Sequence, residues 1–236
     1  MHRATWVVLA LLIGVSQLPA QQKSTQQEKR SEKAGLNYLL FLPEGYDKGD
    51  KKWPLLVFLH GAGETGNNLA NVKKHGPPKI VEKKRDFPFV VVSPQAPTRG
   101  WKPASVIALI DEVAATEKID KDRIYLTGLS MGGFGTWATA AAYPDRFAAI
   151  VPICGGGDPR AAAKIKDLPV WAFHGAKDAV VKPERTEAMI KALKDAGAKN
   201  VKYTLYPDAA HDSWTATYNN EEVYKWLLSH SRKKGG

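Results

Sequence analysis

Apolar runs and amphipathic runs alternate along most of this chain. Leu55–Leu59 is continuously apolar, and Val90–Val92, Ile124–Thr127, Ile150–Ile153 and Pro169–Phe173 have the same short, unbroken character. Such runs suit central strands of a parallel sheet buried on both faces. Val201–Tyr206 alternates apolar with polar residues, as a strand nearer an edge would. Between them, Ala104–Glu117, Phe134–Ala142, Pro183–Ala196 and Glu221–His230 carry the spacing of helices with one buried face. Strand and helix in turn predict an α/β fold: a mostly parallel central sheet with helices on both faces. The 236 residues suffice for one domain with a sizeable core, and no internal repeat is visible.

The ends of the predicted strands carry the polar residues that matter. Ile124–Thr127 runs into Gly128-Leu-Ser-Met-Gly-Gly, and a helical pattern follows. This is the G-x-S-x-G form in a strand–turn–helix context, where a serine is lifted on a tight turn at a helix N-terminus. An ordinary glycine-rich turn would look similar, so Ser130 as a nucleophile needs partners. A serine hydroxyl requires a histidine base held by a carboxylate. Asp178 lies just past the 169–173 strand, and His211 just past the 201–206 strand, in the order serine, acid, histidine. Asp158, after the 150–153 strand, is the rival acid. Asp208 and Asp212 adjoin His211 too closely in sequence to face its ring. His60 and His174, each before a glycine at a strand end, read as packing or loop-bracing residues.

An acyl-transfer site also needs donors for an oxyanion. The 55–59 strand ends in His60-Gly-Ala-Gly-Glu-Thr-Gly, and no Gly-Lys-Ser/Thr follows, so this is not a phosphate-binding P-loop. The backbone N–H groups of Ala62 and Met131 are the predicted oxyanion donors. Trp101 and Trp214 are candidate walls of a substrate pocket at the same rim.

Taken together, His60-Gly-Ala-Gly-Glu-Thr-Gly, Gly128-Leu-Ser-Met-Gly-Gly, His174-Gly-Ala-Lys-Asp178 and His211-Asp-Ser-Trp resemble α/β-hydrolases of the phospholipase/carboxylesterase type. Within that group they are similar to secreted feruloyl-esterase and polyhydroxybutyrate-depolymerase-like proteins, some known only as predicted peptidases. The resemblance spans about Tyr38 to Leu228. It implies an α/β-hydrolase fold without a large lid domain. It also implies Ser130 as nucleophile, Asp178 as acid, His211 as base, and Ala62 with Met131 in the oxyanion hole. The implied activity is serine carboxylic-ester hydrolysis on feruloyl, acetyl or short acyl esters, some linked to plant polysaccharide. Two other readings remain open: a serine peptidase of the prolyl-oligopeptidase type, and a non-catalytic glycan-binding module on the same fold.

Composition adds limits. Residues 1–20 have a short basic start, an apolar Trp6–Val15 and a small-residue end, the form of a secretory signal peptide. Residues 21–34 are polar and charged and read as a disordered linker, which leaves 35–236 as the catalytic domain. A secreted or periplasmic location follows, with no stable membrane insertion. The lone Cys154 can form no internal disulfide and reads as a small core residue. No cluster of ligand-type residues has metal spacing, so no metal and no cofactor is expected. The net charge is +10, spread over scattered lysines and arginines without a nucleic-acid recognition motif. That points away from nucleic acid and leaves acidic polysaccharide or an anionic surface as charge partners. Nothing in the sequence speaks to oligomeric state.

Overall fold

The computed structural model describes Met1 and residues 25–232. Its frame is one eight-stranded sheet: β1 (Gln26–Ser31), β2 (Leu36–Phe41), β3 (Trp53–Leu59), β4 (Val90–Gln95), β5 (Ile119–Leu129), β6 (Ala149–Ile153), β7 (Val170–Gly175) and β8 (Val201–Tyr206). The spatial order is β1-β2-β4-β3-β5-β6-β7-β8. β1, β2 and β4 pair antiparallel, and every pair from β4 onward is parallel. Among the described residues, six α-helices cover the sheet: α1 (Gly76–Val81), α2 (Pro103–Thr116), α3 (Met131–Ala142), α4 (Glu184–Asp195), α5 (Trp214–Tyr218) and α6 (Glu221–Leu228).

The unbroken apolar run of β3 serves two cores. Leu55, Val57 and Leu59 face a cluster closed by Val106 and Leu109 of α2, Trp137 of α3 and Met189 of α4. Leu56 and Phe58 face the opposite cluster, closed by Val81 of α1, Tyr218 of α5 and Leu227 of α6. Alternate residues of a strand point to opposite faces, so a strand covered on both sides must be apolar at every position. The expected α/β-hydrolase architecture is present, and no lid domain is inserted among the described residues.

The expected linker over 21–34 is corrected in its second half. Gln26–Ser31 is a strand, paired residue for residue with β2 from Gln26–Phe41 to Ser31–Leu36. Its polarity reflects its place: it is an edge strand, held by main-chain bonds while Gln27, Glu28 and Arg30 are exposed to solvent and Lys29 pairs with Glu117 at 3.1 Å. Ser31 ties it inward, donating to Glu112 Oε2 at 2.8 Å and accepting from Ala34 N–H at 3.0 Å. The folded domain therefore begins ahead of residue 35. The signal peptide expected over 1–20 and the linker's first residues, 21–24, lie outside the described residues, Met1 apart.

Candidate active site

β5 ends at Leu129, α3 begins at Met131, and Ser130 makes the whole turn between them. Its φ of 51° and ψ of −114° lie in a region that non-glycine residues seldom occupy. Such a conformation costs on the order of 1–3 kcal/mol and persists only where the surroundings impose it. Here they do. Ser130 N–H donates to Ile153 O at 3.0 Å, with Cys154 Sγ at 3.3 Å, and Ser130 O accepts from Phe134 N–H at 3.0 Å. Gly132 brings the first turn of α3 against β3, so closely that a Cβ there would lie 1.9 Å from Leu59 O. No side chain fits that approach.

His211 Nε2 lies 3.0 Å from Ser130 Oγ, and His211 Nδ1 lies 2.7 Å from Asp178 Oδ2. The other carboxylate oxygen, Oδ1, accepts from the N–H groups of Val180 and Val181, both at 2.9 Å. Burial alone would push the Asp178 carboxyl up. The His211 hydrogen bond and the two amides outweigh it and hold the group below the usual carboxylate range. The two loops meet because Gly175 ends β7: a Cβ there would lie 2.2 Å from Ala210 O, next to His211. Lys177 N–H then donates to Ala209 O at 3.0 Å, stitching the acid loop to the base loop.

The rival acids are engaged elsewhere. Asp158 is exposed, caps its own 3-10 turn through Arg160 N–H and is gripped by the Arg160 guanidinium. Asp208 pairs with Lys177 at 2.7 Å, and Asp212 accepts from Thr215 N–H at the start of α5.

Ala62 opens a short 3-10 turn beyond β3, and with Ser130 and Met131 it lines one cavity of about 580 Å³. Met131 is the first residue of α3, so its N–H has no partner within the helix. His60 braces this loop. Its Nδ1–H donates to Gly61 O at 2.6 Å, and its Nε2 accepts from Ala96 N–H at 3.0 Å. Burial pushes the imidazole down to about 4, the Gly61 bond opposing only in part. Trp101 Nε1 donates to His60 O at 3.2 Å, and the Trp101 ring packs edge-on to the imidazole.

The two tryptophans part company. Trp101 lines the cavity. Trp214 is not among its lining residues: it opens α5, leans on the core under α1 and α6, and sets its ring edge-on against His211 at 5.2 Å. Of the two expected walls, Trp101 stands in the cavity, while Trp214 stands beside His211, because α5 turns that ring toward the base and the core. The remaining wall comes from residues the sequence did not single out: Arg99, Gly100, Phe134, Gly135 and Ala138. Arg99 sits two residues before Trp101 in the loop after β4; a lone cation between Pro97 and Gly100 was its only signal. Cys154 lies fully buried behind Ser130 with φ of 40°, and burial pushes its thiol up to about 12, so it is an uncharged core residue. Among the described residues, no group of His, Cys, Asp and Glu could hold a metal ion.

The chemistry available is that of a hydroxyl beside an oriented imidazole, with helix-terminal and loop amides opposite. Known proteins share this frame. A probable feruloyl esterase C from Aspergillus terreus is 28% identical over 153 residues, covering 62% of this chain and 56% of its own length. A bifunctional acetylxylan esterase/xylanase from Neocallimastix patriciarum is 28% identical over 183 residues, 73% of this chain and 26% of its own. A solved thermostable esterase is 35% identical with a TM-score of 0.73, covering 88% of this chain and 63% of that one. The chain thus spans from about a quarter to somewhat over half the length of the relatives it matches. The family model described as dienelactone hydrolase matches residues 38–226, most of the chain, and the protein belongs to the dienelactone hydrolase family.

Proposed function

We propose that this protein is a serine carboxylic-ester hydrolase that works through an acyl-enzyme. The observation that carries the reading is the unbroken string Ser130 Oγ–His211–Asp178, at 3.0 and 2.7 Å, on a strained strand-to-helix turn. Ser130 Oγ attacks the ester carbonyl while His211 Nε2 takes its proton. Asp178 Oδ2 fixes the tautomer with hydrogen on Nδ1 and stabilises the imidazolium. The carbonyl oxygen, now negative, is met by the N–H groups of Ala62 and Met131. His211 then protonates the departing alcohol. In the second half it takes a proton from water, which attacks the acyl carbon and releases the acid and free Ser130.

Feruloyl, acetyl or short acyl esters are the substrate class this reading favours, including esters carried on plant polysaccharide. The likeness to feruloyl and acetylxylan esterases supports it, as does a cavity walled by Trp101, Met131 and Phe134, large enough for an aromatic acyl group. A secreted or periplasmic setting belongs to the same proposal and rests on the sequence of residues 1–20. The test is a panel of p-nitrophenyl acetate, methyl ferulate and acetylated xylan. Turnover of the first two by the wild type, with none by Ser130→Ala, is expected. A folded Ser130→Ala protein of undiminished activity would refute the mechanism.

A further inference from the structure

His174 is wholly buried at the end of β7 and has no part in the mechanism above. One side of its ring is nonetheless directed at the acid and its loop. Its Nε2 lies 2.7 Å from Val181 O and 3.2 Å from Asp178 Oδ2. A carbonyl oxygen only accepts, so Nε2 carries a hydrogen, and that hydrogen lies between the carbonyl and the carboxylate. The oxygen it approaches is the one that faces His211. Val181, whose carbonyl it holds, also donates its N–H to Asp178 Oδ1. The carboxylate is therefore clamped by His211, His174 and two amides, leaving it no free rotation about its χ2 bond.

The opposite side of the ring reaches further. Thr186 Oγ1 lies 2.8 Å from His174 Nδ1 and 2.7 Å from Gly155 O; with hydrogen on Nε2 both of these atoms are acceptors, and the one hydroxyl hydrogen of Thr186 serves one of them at a time. Gly155 lies against the first turn of α3, where an added Cβ would come within 2.6 Å of Gly133 and Phe134 backbone atoms. A path of polar contacts and close packing thus runs from the acid loop to the helix whose N-terminus faces the oxyanion site.

We propose that His174 is a positioning residue for the reaction: it holds Asp178 from the core side so that Oδ2 stays aimed at His211, and it ties the acid loop through Thr186 to the floor of the nucleophile turn. The proposal rests on the triad reading given above. A displacement of a reacting group by about 1 Å costs on the order of 100-fold in rate, and supporting partners of a site typically matter 10–100-fold.

The test uses His174→Phe, His174→Gln and Thr186→Val, with Asp178→Asn alongside. His174→Phe should lower kcat on p-nitrophenyl acetate about 100-fold with KM within about 2-fold, because ground-state binding is untouched. The downfield proton resonance of His211 Nδ1–H should move upfield or vanish. His174→Gln, which keeps a donor near the Nε2 position, should recover about 10-fold of the loss, and Thr186→Val should lose about 10-fold. If His174→Phe does not fold, the other two variants decide the matter by the same readouts. Wild-type kcat and an unchanged resonance in folded variants would overturn the proposal, as would a loss that tracks melting temperature alone. An active Asp178→Asn enzyme would instead overturn the triad reading. An inactive Asp178→Asn beside fully active His174 and Thr186 variants would remove only the positioning role.

Discussion

The two halves of the site are held by different forces. Ser130 is fixed by main chain: a strained turn, two acceptors behind its N–H, and a helix pressed so close to β3 that only glycine passes at position 132. Asp178 and His211 are fixed by side-chain hydrogen bonds between two loops that follow different strands. The placement of Ser130 is therefore a matter of sterics and that of the Asp178–His211 pair a matter of electrostatics. Damage to the first half should be felt as lost folding, and damage to the second as lost rate in an intact protein.

The sharpest expected contrast is Asp178→Asn. The amide keeps the shape but favours the wrong His211 tautomer, a loss of about 10⁴ in kcat in the serine-protease template. Asp158→Asn should stay near wild type, since Asp158 serves only its own turn and Arg160. Steady-state kinetics on a chromogenic ester with both variants decides it, and a more damaging Asp158→Asn would reassign the acid. Gly132→Ala should break the other half. Its Cβ meets backbone rather than a flexible side chain, so stability should fall by about 3 kcal/mol or more, read by urea unfolding. A Gly132→Ala protein with wild-type stability and low activity would erase the contrast.

Acid should weaken both halves, in different windows. His60, beneath the oxyanion loop, titrates at about 4 when folded, against ~6.5 in an unfolded chain. The unfolded state thus binds the proton first, and stability should fall as pH drops from about 6.5 to about 4, by about 3 kcal/mol. Asp178 acts lower: its depressed folded value means its contribution is present above the unfolded value near ~3.9 and lost as pH falls below it. Urea midpoints between pH 7 and 3 on wild type, His60→Gln and Asp178→Asn separate the windows. A His60→Gln slope equal to wild type between pH 6.5 and 4 would remove His60 from this account.

How legible each feature was follows from the same division. Ser130 could be read from sequence because a turn that excludes side chains writes glycine beside the serine. Asp178 and His211 could be placed because each follows a strand, and open α/β sheets gather chemistry at strand exits. The cavity wall could not. Arg99 joins Ser130 at the cavity only through the folding of a surface loop, which leaves no periodic trace, and Phe134 lines it from the exposed side of α3, off the buried stripe that the hydrophobic pattern marks. Trp214 stood out by its nearness to His211, and its place three residues on, at the first position of α5, sets its ring against the core and the imidazole. β1 was hidden for another reason. An edge strand bonded through its main chain needs no apolar side chains, so Gln-Gln-Glu-Lys-Arg-Ser carries no hydrophobic pattern.

The central claim is that Ser130 is activated by His211 for attack on an acyl carbon. Its most direct test is covalent: a fluorophosphonate ester is added to wild type, His211→Ala and Ser130→Ala, and the modified peptide is located by mass spectrometry. The account predicts one adduct per chain on Ser130 in the wild type, forming at least about 1,000-fold more slowly in His211→Ala and absent in Ser130→Ala. An adduct on any other residue, or equal labelling rates with and without His211, would contradict it.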